Sequence, residues 1–358
     1  MRKMRVLALT RYGPLAPSSR VRFYQYVPYL KQHGVEFQMA PLLPNDYVER
    51  LYSGKRSSLI SISAAYYHRI KQLTQIRKFD LLWLEKELLP WLPALAERML
   101  ARLKIPYVVD YDDAVFHRYD LHKNGLIRLF LGKKIDSVMR NAALVIVGND
   151  YLAERAHKAG ARKVEFLPSV VDTQRFFPKE KNASDFHVGW IGSPITAPYL
   201  RLIEKPLNQL CRNPDVHVIL VGAGYQDHLP GIRKEMRAWD EATETSEIHG
   251  FDLGIMPLPD EPFERGKCGY KLIQYMACGL PVVASPVGKN KEIVEHGVNG
   301  FWASTEAEWL SALSIMRADK KKRILMGAAG RKKVEHEYSL KVTAPRLLDL
   351  LLSAKPIR

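Results

Sequence analysis

Short apolar runs separated by helix-length stretches recur along the whole chain, and this alternation restricts the fold more than any other feature. Residues 5–10, 35–40, 81–84, 107–110, 144–147 and 164–167 form one series. Residues 187–191, 216–221, 253–256 and 282–284 form a second. Runs this short and this continuously apolar read as strands buried on both faces. Strands spaced by helical lengths pair in parallel, because each crossover needs a helix. A length of 358 residues favours two domains of ordinary size. The polar stretch KEKNASD between Pro178 and Asp185 is the natural boundary. The expected division is 1–178, 185–338 and a terminal helix over 339–358, within which LKVTAPRLLDLLL is apolar on one side.

The second series contains the densest chemistry. A buried strand at 251–256 is closed by Pro257 and Pro259, and Arg265, Lys267 and Lys271 follow, spaced by Gly266 and Gly269. These glycines let the backbone turn tightly or approach a ligand closely. A helix is predicted over 270–278, stopped by Gly279, with Pro281 enforcing extension into the strand at 282–284. A strand, a basic loop and a helix N-terminus together aim backbone N–H groups and a positive dipole end at one place, where a phosphate is stabilised. The competing reading is a solvated basic loop between two strands.

The segments LIQYMACG (272–279), PVVA (281–284) and GVNGF (297–301) closely resemble the donor-binding region of family 4 glycosyltransferases, the retaining nucleotide-sugar enzymes of the GT-B fold. The resemblance implies an α/β GT-B architecture: two doubly wound Rossmann-like domains facing a central cleft. Acceptor would bind the first domain and nucleotide-sugar the second, with the terminal helix crossing back onto the first. That family carries a Glu-x7-Glu pair here, which typically holds the ribose. This chain has Gly266 and Gln274 at the corresponding positions, and Glu264 is out of step by two. Gln274 can still hydrogen-bond ribose hydroxyls through its amide. Gly222 and Gly224 fit the family's glycine turn near the base, or form a plain tight turn. Gly192, Ser193 and Thr196 fall where the family has a glycine turn followed by Arg and Lys. That cation pair is absent, so Thr196 is assigned to a phosphate oxygen and the cationic role to Arg265, Lys267 and Lys271.

In the first series, the strand at 5–10 leads into RYGPLAPSSRVR. Ser18 or Ser19 is the expected N-cap of a helix through Tyr26, with Arg20 and Arg22 in its first turn. Cations are unfavourable there, so these four residues are candidates for an acceptor or donor phosphate; the alternative is that the arginines reach solvent. Asp110, Asp112 and Asp113 end the strand at 107–110. Asp112–Asp113 corresponds to a His-Asp pair the family often has near the transferred sugar. Either carboxylate can bind sugar hydroxyls or act as a base, and like charges so close should raise one pKa. An Asp-x-Asp metal site is the lesser reading, because GT-B enzymes generally work without bound metal; no cofactor or metal is expected. His117 is a nearby imidazole, and Asn149 and Asp172 are cleft, cap or turn residues. No G-x-G-x-x-G follows the first strand, which argues against a dehydrogenase.

The net charge of +16, from 54 Lys+Arg against 38 Asp+Glu, favours anionic partners. KRSSLISISAAYYHRIKQLTQIRK (55–78) can lie on an anionic bilayer and present a lipid-linked acceptor, or pack on the first sheet. No nucleic-acid module is recognisable. Three cysteines, Cys211, Cys268 and Cys278, lack metal-ligand spacing and favour a reducing cytoplasm. The N-terminal apolar run is too short for a signal peptide, and no stretch matches a membrane span. The location expected is cytoplasmic, or peripheral at the inner face of the membrane.

The resemblance implies a retaining glycosyltransferase acting on a glycan or lipid-linked acceptor in cell-surface polysaccharide or glycolipid synthesis, with Asp112, Asp113 and Lys271 as catalytic candidates. Two other readings stay open. One is a GT-B sugar-nucleotide epimerase, and the other a non-catalytic nucleotide-sugar or membrane scaffold.

Overall fold

A computed structural model describes residues 3–55, 57–180 and 185–354. Most of the expected boundary segment, 181–184, lies outside the described residues, as do Arg56 of the basic amphipathic stretch and the last four residues of the terminal segment. The chain divides into two compact units. Unit 1 comprises Met1–Ser169, Arg265–Cys268 and Thr343–Arg358, and unit 2 comprises Val170–Glu264 and Gly269–Val342.

Unit 1 is built on β1 (Met4–Leu9), β2 (Val35–Met39), β3 (Leu81–Glu85), β4 (Tyr107–Tyr111), β5 (Leu144–Val147) and β6 (Val164–Phe166). All pairings are parallel and the order is β2-β1-β3-β4-β5-β6. Every residue of β3, β4 and β5 is buried, as a sheet covered on both faces requires. The connection from β2 returns past β1 to β3, so chain direction across the sheet reverses between β1 and β3. Such a switch opens a crevice at the C-terminal strand ends, where Thr10, Lys86 and Asp112 follow their strands.

Unit 2 contains β7 (Phe186–Ile191), β8 (Val216–Val221), β9 (Lys234–Arg237), β10 (Leu253–Met256), β11 (Val282–Ala284) and β12 (Gly300–Trp302). Its order is β12-β11-β10-β7-β8-β9, again all parallel, with the reversal between β7 and β10. The helix Tyr270–Ala277 starts from Gly269 in a left-handed conformation (φ 66°) and buries six of its eight residues. The last helix, Leu340–Ser353, belongs to unit 1 from Thr343 onward, and the Thr343 hydroxyl lies 3.0 Å from the Tyr26 hydroxyl.

One expected element is corrected. The helix after β1 runs Pro17–Arg22, with Ala16 at the N-cap position, followed by a 3-10 turn at Tyr24–Tyr26. Pro17 is pre-set for the first helical position, which moves the start upstream and places Ser18 and Ser19 inside the first turn. Their hydroxyls are then available for side-chain partners rather than for capping.

Candidate functional site

The C-terminal strand ends of unit 1 carry a dense charged network. Glu85, 1% exposed at the end of β3, accepts hydrogen bonds from the Ser19 hydroxyl (2.6 Å), the Ser18 hydroxyl (3.0 Å) and the Arg11 amide (2.8 Å). The Ser18 hydroxyl also lies 2.6 Å from Asp112 Oδ2. Lys86 follows, a non-glycine residue at φ 66°, in a conformation that costs energy unless surrounding contacts enforce it. Here its ammonium meets Asp112 Oδ1 at 2.8 Å, the Ser18 oxygen at 3.0 Å and Asp113 Oδ2 at 3.5 Å. Glu87 closes the run, held by Lys134 (2.5 Å) and the Tyr119 hydroxyl (2.9 Å).

At Asp112 the arrangement does not produce the expected rise in carboxyl pKa. Burial works against ionisation of Asp112, but the Lys86 ammonium and the Ser18 hydroxyl outweigh it and hold the carboxyl below its usual range. Lys86 is itself pushed up: burial disfavours its charge, and the Asp112 and Asp113 carboxylates more than compensate. Lys267 adds a further cation 3.8 Å from Asp113. The pair is therefore neutralised by lysines, a poor starting point for a metal site.

Arg20 and Arg22 do not present themselves to a phosphate either. Arg22 is 2% exposed and forms a two-point ion pair with Asp110 (Nε–Oδ1 2.7 Å, Nη2–Oδ2 3.1 Å), and its Nη1 donates to the Leu167 carbonyl at 2.8 Å. The Arg20 guanidinium turns back onto the carbonyls of Pro14 and Leu15, 3.3 Å from each. Arg20 thereby holds the loop that leads into the helix carrying Ser18 and Ser19, and Arg22 holds that helix to the sheet. His117 is likewise engaged, with Asp120 at 2.8 Å and the Tyr151 hydroxyl at 2.7 Å.

Of the basic loop, Arg265, Gly266 and Lys267 belong to unit 1 and Lys271 to unit 2. Gly266 lies flat on Ala114: a Cβ there would come within 2.6 Å of the Ala114 amide nitrogen. The Cys268 thiol, pushed up by burial, donates to the Asp112 carbonyl at 3.2 Å. Asn149 caps the helix Asp150–Lys158 by accepting from the Leu152 amide, and its side-chain NH2 lies 3.1 Å from the Lys267 carbonyl and 3.4 Å from that of Arg265. Asn149→Ala removes the cap and the tether together. A loss of about 1 kcal/mol from the cap alone is expected in urea unfolding, with faster hydrogen exchange at 265–268. Asp172 makes a local turn by accepting from the Gln174 amide.

In unit 2, two strand ends and a helix N-terminus converge. Gly192 follows β7 and Gly222 follows β8, with φ 74° and a Cβ position 2.4 Å from the Gly192 carbonyl oxygen, so only glycine fits. The hydroxyl of Thr196 bonds within its own turn, donating to the Ser193 carbonyl at 3.2 Å, and faces Lys271 Nζ at 3.5 Å. Gly224 sits against Pro194. The Lys271 ammonium also stands 5.3 Å from the centre of the Trp190 ring. Lys271 is on the first turn of the helix Tyr270–Ala277, where orphan backbone N–H groups collect. Gly192, Thr196, Lys271 and Gly222 thus share one locality at the strand-order reversal.

Gln274 is 2% exposed and donates to Glu244 Oε1 at 2.9 Å. Glu244, 3% exposed, also takes the Trp239 indole N–H (3.1 Å) and Arg175 (3.0 Å). A glutamate at 274 would put two carboxylates in this buried contact, whereas an amide donates to the one present. Glu264, also buried, accepts from the Tyr199 hydroxyl. Sequence reasoning missed Glu85, Lys86, Glu87 and Glu244. For the first three a signal existed: three consecutive charges inside the apolar stretch LLWLEKELLP.

Residues 185–319 match the family model described as glycosyl transferases group 1. A GDP-mannose-dependent monoacylated alpha-(1-6)-phosphatidylinositol monomannoside mannosyltransferase of Corynebacterium glutamicum is 28% identical over 213 residues, 53% of this chain and 56% of that protein. The chain thus spans about half the length of the curated relatives it matches. Among solved structures, Anabaena Alr3699/HepE in complex with UDP superposes with a TM-score of 0.69 at 18% identity, covering 98% of this chain and 100% of that one. WaaG, a glycosyltransferase involved in lipopolysaccharide biosynthesis, gives 0.71 at 13% identity, covering 97% and 99%. With two all-parallel six-stranded sheets and these neighbours, the chain has the GT-B fold, and its residues 185–319 are similar to the glycosyl transferases group 1 domain.

Proposed function

We propose that the protein is a retaining glycosyltransferase that moves a sugar from a nucleoside diphosphate donor to a glycan or lipid-linked acceptor in cell-surface polysaccharide or glycolipid synthesis. Donor binding is assigned to unit 2 and acceptor binding to unit 1. The observation that carries the reading is Lys271: an ammonium held on a helix first turn, 3.5 Å from the Thr196 hydroxyl and beside the Gly192–Gly222 backbone contact. Cation, hydroxyl and helix N–H groups at one strand-order reversal are what a diphosphate needs. The GDP-mannose dependence of the corynebacterial relative and the UDP bound to HepE make these two nucleotides the first to test.

Chemistry then rests on electrostatics. Lys271 and the helix amides stabilise the diphosphate as its bond to the anomeric carbon breaks. The acceptor hydroxyl attacks from the face the diphosphate leaves and passes its proton to a phosphate oxygen, so no protein nucleophile is needed. The Lys86-bound Asp112 and Asp113 orient sugar hydroxyls as acceptors of hydrogen bonds. The carboxyl of Asp112, held below its usual range by Lys86 and Ser18, makes it a better acceptor than base. No metal enters this scheme, and donor binding is expected to survive chelation by EDTA.

Product analysis with GDP-mannose and UDP-glucose, each with and without a lipid extract, tests the reading. Transfer only in the presence of acceptor, with retained anomeric configuration by NMR, is the expected result. An epimerised donor formed without acceptor would replace the proposal by the epimerase, and donor binding without turnover by the scaffold.

A further inference from the structure

We propose that the helix Gly125–Leu131 of unit 1 is a docking face for an anionic lipid bilayer. Its sequence, GLIRLFL, is apolar on both sides, a pattern normal for a buried helix. Yet only one side is covered: Leu131 and Ile127 pack into the unit 1 core, while Leu126, Leu129 and Phe130 are 64%, 74% and 71% exposed. These three are spaced i, i+3, i+4 and so form a single outward stripe.

The stripe is fixed in this orientation. Asn124 caps the helix by accepting from the Leu126 amide at 2.9 Å, and Arg128 Nη1 donates to the carbonyls of His122 (2.5 Å) and Lys123 (3.0 Å). A seven-residue helix is too short to persist without such anchors. Just before it, the His122 ring lies 5.8 Å from that of Trp91, itself 48% exposed, which extends the face with the residue most favoured at membrane interfaces. The Pro90 carbonyl, next in sequence, accepts from the Tyr66 hydroxyl at 2.7 Å, which ties the helix Leu59–Leu73, whose Leu59 and Ile60 are exposed, to the Trp91 segment.

Charge selects the occupant. Lys123, Arg128 and Lys133 are exposed around the stripe. The nearby carboxylates, Asp120 and Asp136, are already paired with Arg155 at 2.8 and 2.6 Å. A depression of about 430 Å³ beside the helix is lined by four cations, Arg128, Lys133, Arg155 and Lys158, and only those two carboxylates. Apolar side chains standing among lysines and arginines match an acyl surface beneath phosphate headgroups. A protein partner would need complementary acidic groups around its own apolar patch.

The inference stands apart from the donor chemistry, since vesicle binding and nucleotide binding can each fail alone. The test is co-sedimentation of the full chain with vesicles of phosphatidylglycerol and phosphatidylcholine, and with phosphatidylcholine alone. The variants are Leu129→Glu/Phe130→Glu, Leu59→Glu/Ile60→Glu and, in unit 2, the exposed pair Ile324→Glu/Leu325→Glu. Wild type is expected to bind the anionic vesicles. The 129/130 variant should lose about tenfold or more in partitioning, the 59/60 variant less, and the 324/325 variant nothing. Circular dichroism and thermal melts check that each variant is folded. Absence of wild-type binding to anionic vesicles would overturn the proposal, as would unchanged binding of the 129/130 variant. Equal losses in all three variants would overturn it too. A dimer of the wild type that the 129/130 change dissolves would instead assign the stripe to a second copy of this chain.

Discussion

Replacing Arg22 by methionine should destabilise the protein by about 3–5 kcal/mol, because it leaves the Asp110 carboxylate buried and unpaired. The pair is fully enclosed, with both residues at most 2% exposed, and Arg22 makes three of the hydrogen bonds that hold β4 and the end of β6 to the helix Pro17–Arg22. Removing both charges, as in Arg22→Met/Asp110→Leu, should recover most of the loss, since a buried ion pair and a matched apolar pair are often close in free energy. The cycle separates the cost of an orphaned charge from the worth of the pair.

The same variant carries a pH signature. Burial pushes the Asp110 carboxyl up to about 6 despite the opposing pull of Arg22. A folded-state pKa above the unfolded one means that the native state binds the extra proton, and stability falls as pH rises through the folded value. Without Arg22 the folded value moves higher still. The deficit of Arg22→Met relative to wild type should therefore be largest at pH 7 and above and shrink below about pH 6. Urea unfolding at pH 5 and pH 7.5 measures this, and a deficit that grows towards acid would contradict it.

The second large effect is expected at Lys271. A hydrogen bond to a charged group is worth about 1.5–3 kcal/mol, and the charge adds its Coulomb attraction to a diphosphate. Lys271→Ala should weaken nucleoside diphosphate binding by about ten- to a hundredfold or more, and Lys271→Glu should remove it. The unit 2 core should be unaffected, because Lys271 is only partly buried while its neighbours Leu272, Ile273 and Tyr275 are buried. Unchanged affinity in Lys271→Glu would remove Lys271 from the site.

The Arg22 result also illustrates where sequence reading stops. An arginine expected in a first helical turn looks like a cation waiting for an anion; the helix in fact ends at Arg22, and the anion it meets is Asp110, 88 residues away. Strand positions were legible because short apolar runs with fixed spacing leave few alternatives. The exceptions are β9, whose sequence KEMR is charged and sits at a sheet edge, and β12, whose residues GFW run from buried to exposed at the opposite edge. Neither offers a period to detect. Glycines at 192, 222 and 224 could be placed because strand ends and backbone freedom are local properties. The Gln274–Glu244 contact could not, since it joins two helices 30 residues apart and depends on which side chain donates. The membership of Arg265–Cys268 in unit 1 was equally hidden, because the tether is the Asn149 amide reaching carbonyls more than a hundred residues further on.

The central claim is that the strand-order reversal of unit 2 binds a nucleoside diphosphate. Calorimetric titration of the protein with UDP, GDP and ADP, each with and without magnesium and with NAD as control, tests it most directly. Saturable binding of one of the three diphosphates without need of magnesium, lost in Lys271→Glu, is the predicted result; no binding of any of them would contradict the account.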